Sequence, residues 1–278
     1  MINKKKLFIL VILFSIISII LSKKLINNIF LLKENFTLNR ILFIDEIESY
    51  NNIMNSKYFN NLNKINLKAR GCENLESCKK KYKANLIKFS EEEKKKLTNL
   101  IKHADDITEK FNKFYKVPWV LSKTTNRIEN GFPFTIGNII YISDEFLNRT
   151  KKYKLETIIH EKLHLYQRIY PKETEKLYDT LEFHKIQLKK DALRRHNPDL
   201  DNYDYEYRGI RTYNKFNNTE PASLSDSNNV YLPYIKNIVN KMIKKKYNNE
   251  HPNEIFANII SRQIVKNKLE NKFNRYLN

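Results

Sequence analysis

His160 and His164 stand four residues apart, with Glu161 beside the first, in the run His160-Glu161-Lys162-Leu163-His164. This spacing constrains the chain more than any other feature, because it has a common purpose only on a helix. Residues i and i+4 of a helix project from one face, about 6 Å apart. Two imidazoles held there can bind one zinc ion through nitrogen at about 2.0–2.1 Å. Glu161 can then reach the next coordination position, where a carboxylate takes a proton from an activated water and returns it to a leaving amine. With 6 histidines in 278 residues, chance supplies about 0.01 copies of the pattern. The surroundings predict the helix: it runs from about Thr150 to Tyr170, with Leu155, Ile158, Ile159 and Leu163 at helical spacing and Pro171 ending it.

Composition removes other chemistries. The 4 glycines form no GxGxxG and no GxxxxGK[ST] pattern, so dinucleotide-binding and P-loop folds have no support. The 2 cysteines are too few for a four-cysteine zinc module or a disulfide scaffold. Lys+Arg number 51 against 31 Asp+Glu, a net charge of +20. The abundance of Lys, Asn and Ile together is what an AT-rich coding sequence produces, so the charge does not identify a partner. A basic surface attracts nucleic acid, acidic substrates or anionic lipid alike. No zinc-finger spacing or aromatic-basic RNA motif is present, and the apolar N-terminus argues against nucleic acid as the partner.

Three lysines in Met1–Lys6 precede an uncharged run from Leu7 to Leu21, which Ser22, Lys23 and Lys24 close. As a helix the run spans roughly 23 Å. That is the lower edge of a membrane span and the long end of a signal-peptide core. It predicts an uncleaved signal anchor over residues 1–24, touching the membrane through residues 7–22; cleavage and secretion is the alternative. With the N-terminus inside, the rest of the chain is lumenal or extracytoplasmic, where the sequons at Asn35, Asn148 and Asn217 are usable. There Cys72 and Cys78 could form a local disulfide; otherwise they are two thiols.

Residues 25–89 are Lys/Asn-rich and read as a membrane-proximal region, with Tyr50 to Asn66 as loop or linker. Residues 90–278 read as the folded domain. Ser90 with Glu93 three residues on is a capping box, and Leu97, Ile101, Ala104, Ile107, Phe111 and Phe114 follow on one face. Pro118 to Ser143 is β-branched and aromatic and predicts two or three strands. A helix is predicted from Pro171 to about Arg195, and an ordered loop from His196 to Asn229. An apolar patch at 230–235 and a short helix come next, then a last helix from Pro252 with Ile255, Phe256, Ile259, Ile260 and Ile264 inward.

On these residues, over roughly 118–265, the chain resembles the zincin metallopeptidases. Their active-site helix carries HExxH and follows a sheet whose edge strand aligns substrate. Gly137–Ser143 stands in the edge-strand place and His160–His164 in the helix place. The overall character is also similar to metallopeptidase-like proteins of large DNA viruses. The resemblance implies His160 and His164 as zinc ligands and Glu161 as general base. The metzincin continuation HExxHxxGxxH is absent, since Gln167 and Tyr170 occupy its glycine and histidine places. The gluzincin branch takes its third ligand from a later helix. Glu254 in His251-Pro-Asn-Glu-Ile-Phe-Ala257 resembles that helix, and it competes with a plain capping role, His251 as N-cap and Glu254 at N3. Glu182, His184 and His251 are the other candidates. Tyr247 is the first choice to stabilise the oxyanion, with Tyr231 and Tyr234 as alternatives. Asn197, Asp199, Asp201 and Asp204 either return to orient the imidazoles or serve as turn and cap residues.

The expectation is therefore an α+β zincin-like fold with a small twisted sheet, an HExxH helix and a helical C-terminal part, preceded by a transmembrane helix. The expected function is a membrane-anchored, zinc-dependent endopeptidase with one Zn2+ per chain and a polypeptide substrate. The alternative is a catalytically inactive membrane or envelope protein that keeps the fold.

Overall fold

In the computed structural model, which describes residues 40–186, 197–199, 203–207, 210–212, 251–269 and 271–278, the early elements begin where capping side chains stand. β1 (Ile41–Phe43) comes first. Asp45, Ser56, Asn63 and Asn74 each accept a hydrogen bond from the backbone N–H three residues on. They start α1 (Glu46–Asn55), α2 (Lys57–Asn60), α3 (Lys64–Ala69) and α4 (Leu75–Ala84). Residues 50–66, expected as loop or linker, are thus largely helical. The helices are too short to display a repeat, and each is held by one or two buried residues such as Ile53, Phe59 and Leu67.

β2 (Leu86–Ile87) leads to α5 (Glu91–Thr108). Its capping box is formed as expected: the Glu93 amide donates to Ser90 Oγ at 3.2 Å and the Ser90 amide to Glu93 Oε2 at 2.8 Å. α6 (Asn112–Lys116), β3 (Trp119–Thr124), β4 (Phe134–Ile136), β5 (Ile139–Ser143) and α7 (Asp144–Leu147) follow. The expected strands over 118–143 are present. α8 (Lys151–Ile169) carries the HExxH run, and α9 (Pro171–Thr180) follows at Pro171. The fold is mixed α+β, the class expected from the sequence.

The sheet runs in the order β1-β3-β5-β4, with β2 also on β3. β3 and β5 are parallel, and β4 is antiparallel to β5. The strand from Ile139 to Ser143, expected at the edge, is therefore interior; among the described residues β4 holds the edge. Every residue of β5 is buried, as a strand covered on both faces requires. Tyr141 and Ile139 join Phe134, Ile136 and Ile128 in a cluster with Ile53, Phe59, Leu67 and Tyr82 of α1–α4. The division expected at 89/90 runs through this core, and residues 42–278 form one unit. Cys72 and Cys78, both buried in the same cluster, are paired, with S–S 2.10 Å.

Gly137 turns the chain between β4 and β5 with φ +59°. A Cβ there would stand 2.6 Å from Asn52 Oδ1. Asn52 cannot yield freely, because its Nδ2 donates to the Ile136 carbonyl and to the Tyr141 hydroxyl, both at 2.9 Å. Gly137→Ala is expected to lower stability by about 2 kcal/mol or more, from the left-handed backbone and the displaced hydrogen bonds. Urea unfolding of the variant against wild type measures it.

Two expectations are corrected after α9. The helix predicted to reach Arg195 stops at Thr180, because Glu182 takes φ +65° and breaks it. β6 (Phe183–Ile186), inside the predicted helix, pairs antiparallel with β7 (Asp204–Tyr207), which pairs antiparallel with β8 (Ile210–Thr212), both inside the predicted loop. α10 (Pro252–Val265) starts at Pro252 as expected, and α11 (Asn271–Leu277) closes the chain. The expected anchor at 1–24 and the patch at 230–235 lie outside the described residues. Among those described, no helix is long and apolar enough to cross a membrane.

Candidate metal centre

α8 begins at Thr150, whose hydroxyl accepts from the Tyr153 amide, and its 19 residues bury more than one face. Leu155, Ile158, Ile159 and Leu163 enter the core. Lys162 is fully enclosed: its Nζ lies 3.5 Å from Asp105 Oδ1, 3.4 Å from the Tyr115 carbonyl and 4.1 Å from the centre of the Trp119 ring. Trp119 Nε1 donates to the same Asp105 oxygen at 3.0 Å. His160 and His164 point elsewhere, towards the start of α10, which packs along α8.

There the two readings of Glu254 separate. The His251 ring caps α10 itself: the Asn253 amide donates to His251 Nδ1 at 3.1 Å. That amide can only donate, so Nδ1 accepts and Nε2 carries the proton that faces the Tyr203 carbonyl at 3.1 Å. His251 is thus engaged as a cap, and the Glu254 carboxylate is turned to the imidazoles. Glu254 Oε2 lies 3.3 Å from His160 Nε2, Glu254 Oε1 lies 3.5 Å from His164 Nε2, and the two Nε2 atoms are 2.9 Å apart. These three residues form the one group of possible metal ligands among the described residues. Glu182 sits in the turn after α9, and His184 is exposed on β6 opposite Glu206. Tyr247, Tyr231, Tyr234 and Asp201 lie outside the described residues. Asp204 is in β7, opposite Ile186.

The donor set fits zinc. Four ligands about 2.05 Å from an ion at tetrahedral angles stand about 3.3 Å from one another; the two Nε2 atoms are 2.9 Å apart, and each has one oxygen of Glu254 near that edge, Oε2 at 3.3 Å from His160 and Oε1 at 3.5 Å from His164. Two imidazoles and one carboxylate leave a fourth position for water, as catalytic zinc sites do. Glu161 is buried beside the group, and its Oε2 has no hydrogen-bond partner. A buried carboxylate oxygen without a partner is uncommon and signals a missing ion, water or reactant.

The protonation of the ligands also suits a cation. His164 Nδ1 lies 2.9 Å from Gln167 Oε1, and Gln167 Nε2 donates to the Asn253 carbonyl at 3.1 Å. The carbonyl orients the amide, the amide oxygen accepts from Nδ1–H, and Nε2 keeps a lone pair for the metal position. Burial pushes the His164 imidazole down to about 3, so it stays neutral. Burial opposes the charge on Glu254, but the imidazoles of His164, His160 and His251 prevail and hold it down at about 2. Burial drives the Glu161 carboxyl well above its usual range, and the Asp199 and Glu254 carboxylates drive it further, against Arg168. Solvent reaches the group through His160 and Glu254, whose side chains are 15% and 14% exposed, while His164 is fully buried.

Sequence reasoning used Gln167 only to exclude the metzincin pattern and missed its role. The available signal was its place three residues after His164, on the same helix face. Of the polar residues after His196, Asn197 and Asp199 do return to the site. Asn197 Nδ2 donates to Glu254 Oε1 at 2.7 Å. Asp199 Oδ1 accepts from the Thr135 amide at 2.5 Å and the Thr135 hydroxyl at 2.8 Å, while Arg168 Nη2 donates to the Thr135 carbonyl at 3.2 Å. The outward hydrogen-bonding groups of the edge strand are occupied at Thr135 by the protein itself. Burial raises Asp199 to about 7, the nearby Glu254 adding to the shift and Arg168 and Thr135 opposing it.

No family model matches the chain, and no curated protein or solved structure matches it.

Proposed function

We propose that the chain is a membrane-anchored, zinc-dependent peptidase of gluzincin-like type. The observation that carries this is the convergence of His160, His164 and Glu254, from helices some ninety residues apart in sequence, on one metal-sized position beside the unpartnered Glu161. His160 Nε2, His164 Nε2 and the Glu254 carboxylate would hold the ion. Bound zinc would polarise a scissile carbonyl and acidify a water. Glu161 Oε2, which faces no donor among the described residues, would take the proton of the attacking water and deliver it to the leaving amine. Gln167 keeps His164 in the tautomer that binds. A cation there would also offset the repulsion among the Glu161, Asp199 and Glu254 carboxylates. Peptide as the substrate rests on the resemblance of His160–His164 and the Glu254 helix to zincins. An extracytoplasmic location is supported by the apolar run at 7–21 and by the Cys72–Cys78 disulfide, which persists in oxidising compartments.

The test is metal analysis of the full chain purified in detergent and loaded with zinc. About one zinc per chain is expected, and none in His160→Ala with its circular dichroism unchanged. A folded wild type that binds no zinc would overturn the proposal and leave a membrane-tethered protein with an inert HExxH run.

A further inference from the structure

Asn197, Pro198 and Asp199 are buried, although no regular element contains them. Each is held. Asp199 accepts both hydrogen bonds from Thr135 on the edge strand, and Arg168 of α8 donates from Nη2 to the Pro198 carbonyl at 3.0 Å. Arg168 Nη1 also donates to Thr135 Oγ1 at 2.6 Å and to the Gly137 carbonyl at 3.1 Å. The segment is bolted to β4 and to the active-site helix at once. Pro198 restricts its backbone further, since its φ is fixed by the ring.

The orientation of the Asn197 amide follows from this anchoring. The Asp199 backbone N–H donates to Asn197 Oδ1 at 3.0 Å. An amide N–H has no acceptor capacity, so the oxygen of the Asn197 side chain must face it. The Nδ2 group is thereby directed at Glu254 Oε1. Oε1 thus gives one lone pair to Asn197 and lies 3.5 Å from His164 Nε2, while Oε2 lies 3.3 Å from His160 Nε2. A free carboxylate can swing to offer either oxygen or both to an ion; one with a fixed donor on Oε1 offers Oε2.

Resting on the zinc reading above, we infer that Asn197 is a positioning residue that selects Glu254 Oε2 as the metal-binding atom, with Asp199 as its anchor to the edge strand. It does not touch the reacting atoms. Its effect is on the geometry and affinity of the metal site, where loss of an orienting partner costs about 10–100-fold in affinity.

The test compares zinc affinity, by chelator competition, in the full-length wild type, Asn197→Ala and Asn197→Ser. The serine variant separates the two roles of the side chain. Its hydroxyl can still accept from the Asp199 amide, as in a serine turn, but is too short to reach Glu254. Both variants are expected to bind zinc about 10–100-fold more weakly, with the metal-free melting temperature of Asn197→Ser close to wild type. In the cobalt-substituted proteins the visible absorption should weaken in both variants, because a carboxylate released to bind through two oxygens raises the coordination number above four. Wild type binding one zinc with a folded Asn197→Ser equally tight would overturn this inference alone. Wild type binding no zinc would overturn the proposed function, and the inference with it.

Discussion

Glu161→Gln is expected to slow peptide cleavage by about 10²–10⁴-fold and to leave about one zinc per chain in place. The amide is nearly the same size as the carboxylate, so the packing around a side chain that is only 3% exposed changes little. It cannot accept and release the proton that the proposed hydrolysis requires. In the metal-free protein burial and the Asp199 and Glu254 carboxylates already favour the neutral acid form of Glu161, which the amide resembles, so the metal-free variant should be at least as stable as wild type. Turnover of a quenched peptide, zinc content and melting temperature, taken on one preparation, separate these effects. Full activity in the zinc-loaded variant would remove Glu161 from the role of base.

The second large effect concerns the third ligand. Glu254→Ala is expected to weaken zinc binding by more than about a hundredfold, beyond the loss that orienting partners produce, whereas Glu182→Ala leaves it unchanged. Glu254 faces both imidazoles across 3.3 and 3.5 Å, and Glu182 lies in a turn outside the group. The same difference should appear in heat stability. Zinc at a hundredfold excess over its Kd stabilises the folded state by about 2.7 kcal/mol, or roughly 5–10 °C for a chain of this size. Glu182→Ala should retain that increment and Glu254→Ala should lose it. The reverse order would transfer the ligand to the turn after α9.

What the sequence discloses here follows the range of the interaction. His160, Glu161 and His164 were legible because their geometry is local to one helix turn. So were the Ser90–Glu93 box and the start of the last helix at Pro252, where cap residues act within three positions of the helix. Glu254 was visible as one of two things, a cap or a ligand. In the fold the His251 ring supplies the cap, and the Glu254 carboxylate faces the two imidazoles instead. The helices of 46–69 were missed because each presents one or two apolar residues and no repeat. The end of α9 was missed because Leu177, Leu181, Leu188 and Ala192 keep to one helical face across it, while Glu182 adopts a left-handed backbone without being glycine. The contacts of Thr135 with Asp199 and of Asn197 with Glu254 join residues 64 and 57 apart in sequence. No local pattern announces such pairs.

Lys162 lies two positions from each of His160 and His164, about 200° round the helix from both. Its ammonium is accepted at one spot, between Asp105, the Tyr115 carbonyl and the Trp119 ring. Elsewhere in the core it would be an unpaired buried charge, costing several kcal/mol. α8 therefore has a single azimuth. Turning it to swing either imidazole away from Glu254 would drag the ammonium out of its seat, so the aim of the two imidazoles is set from the far side of the helix, like a key in its keyway.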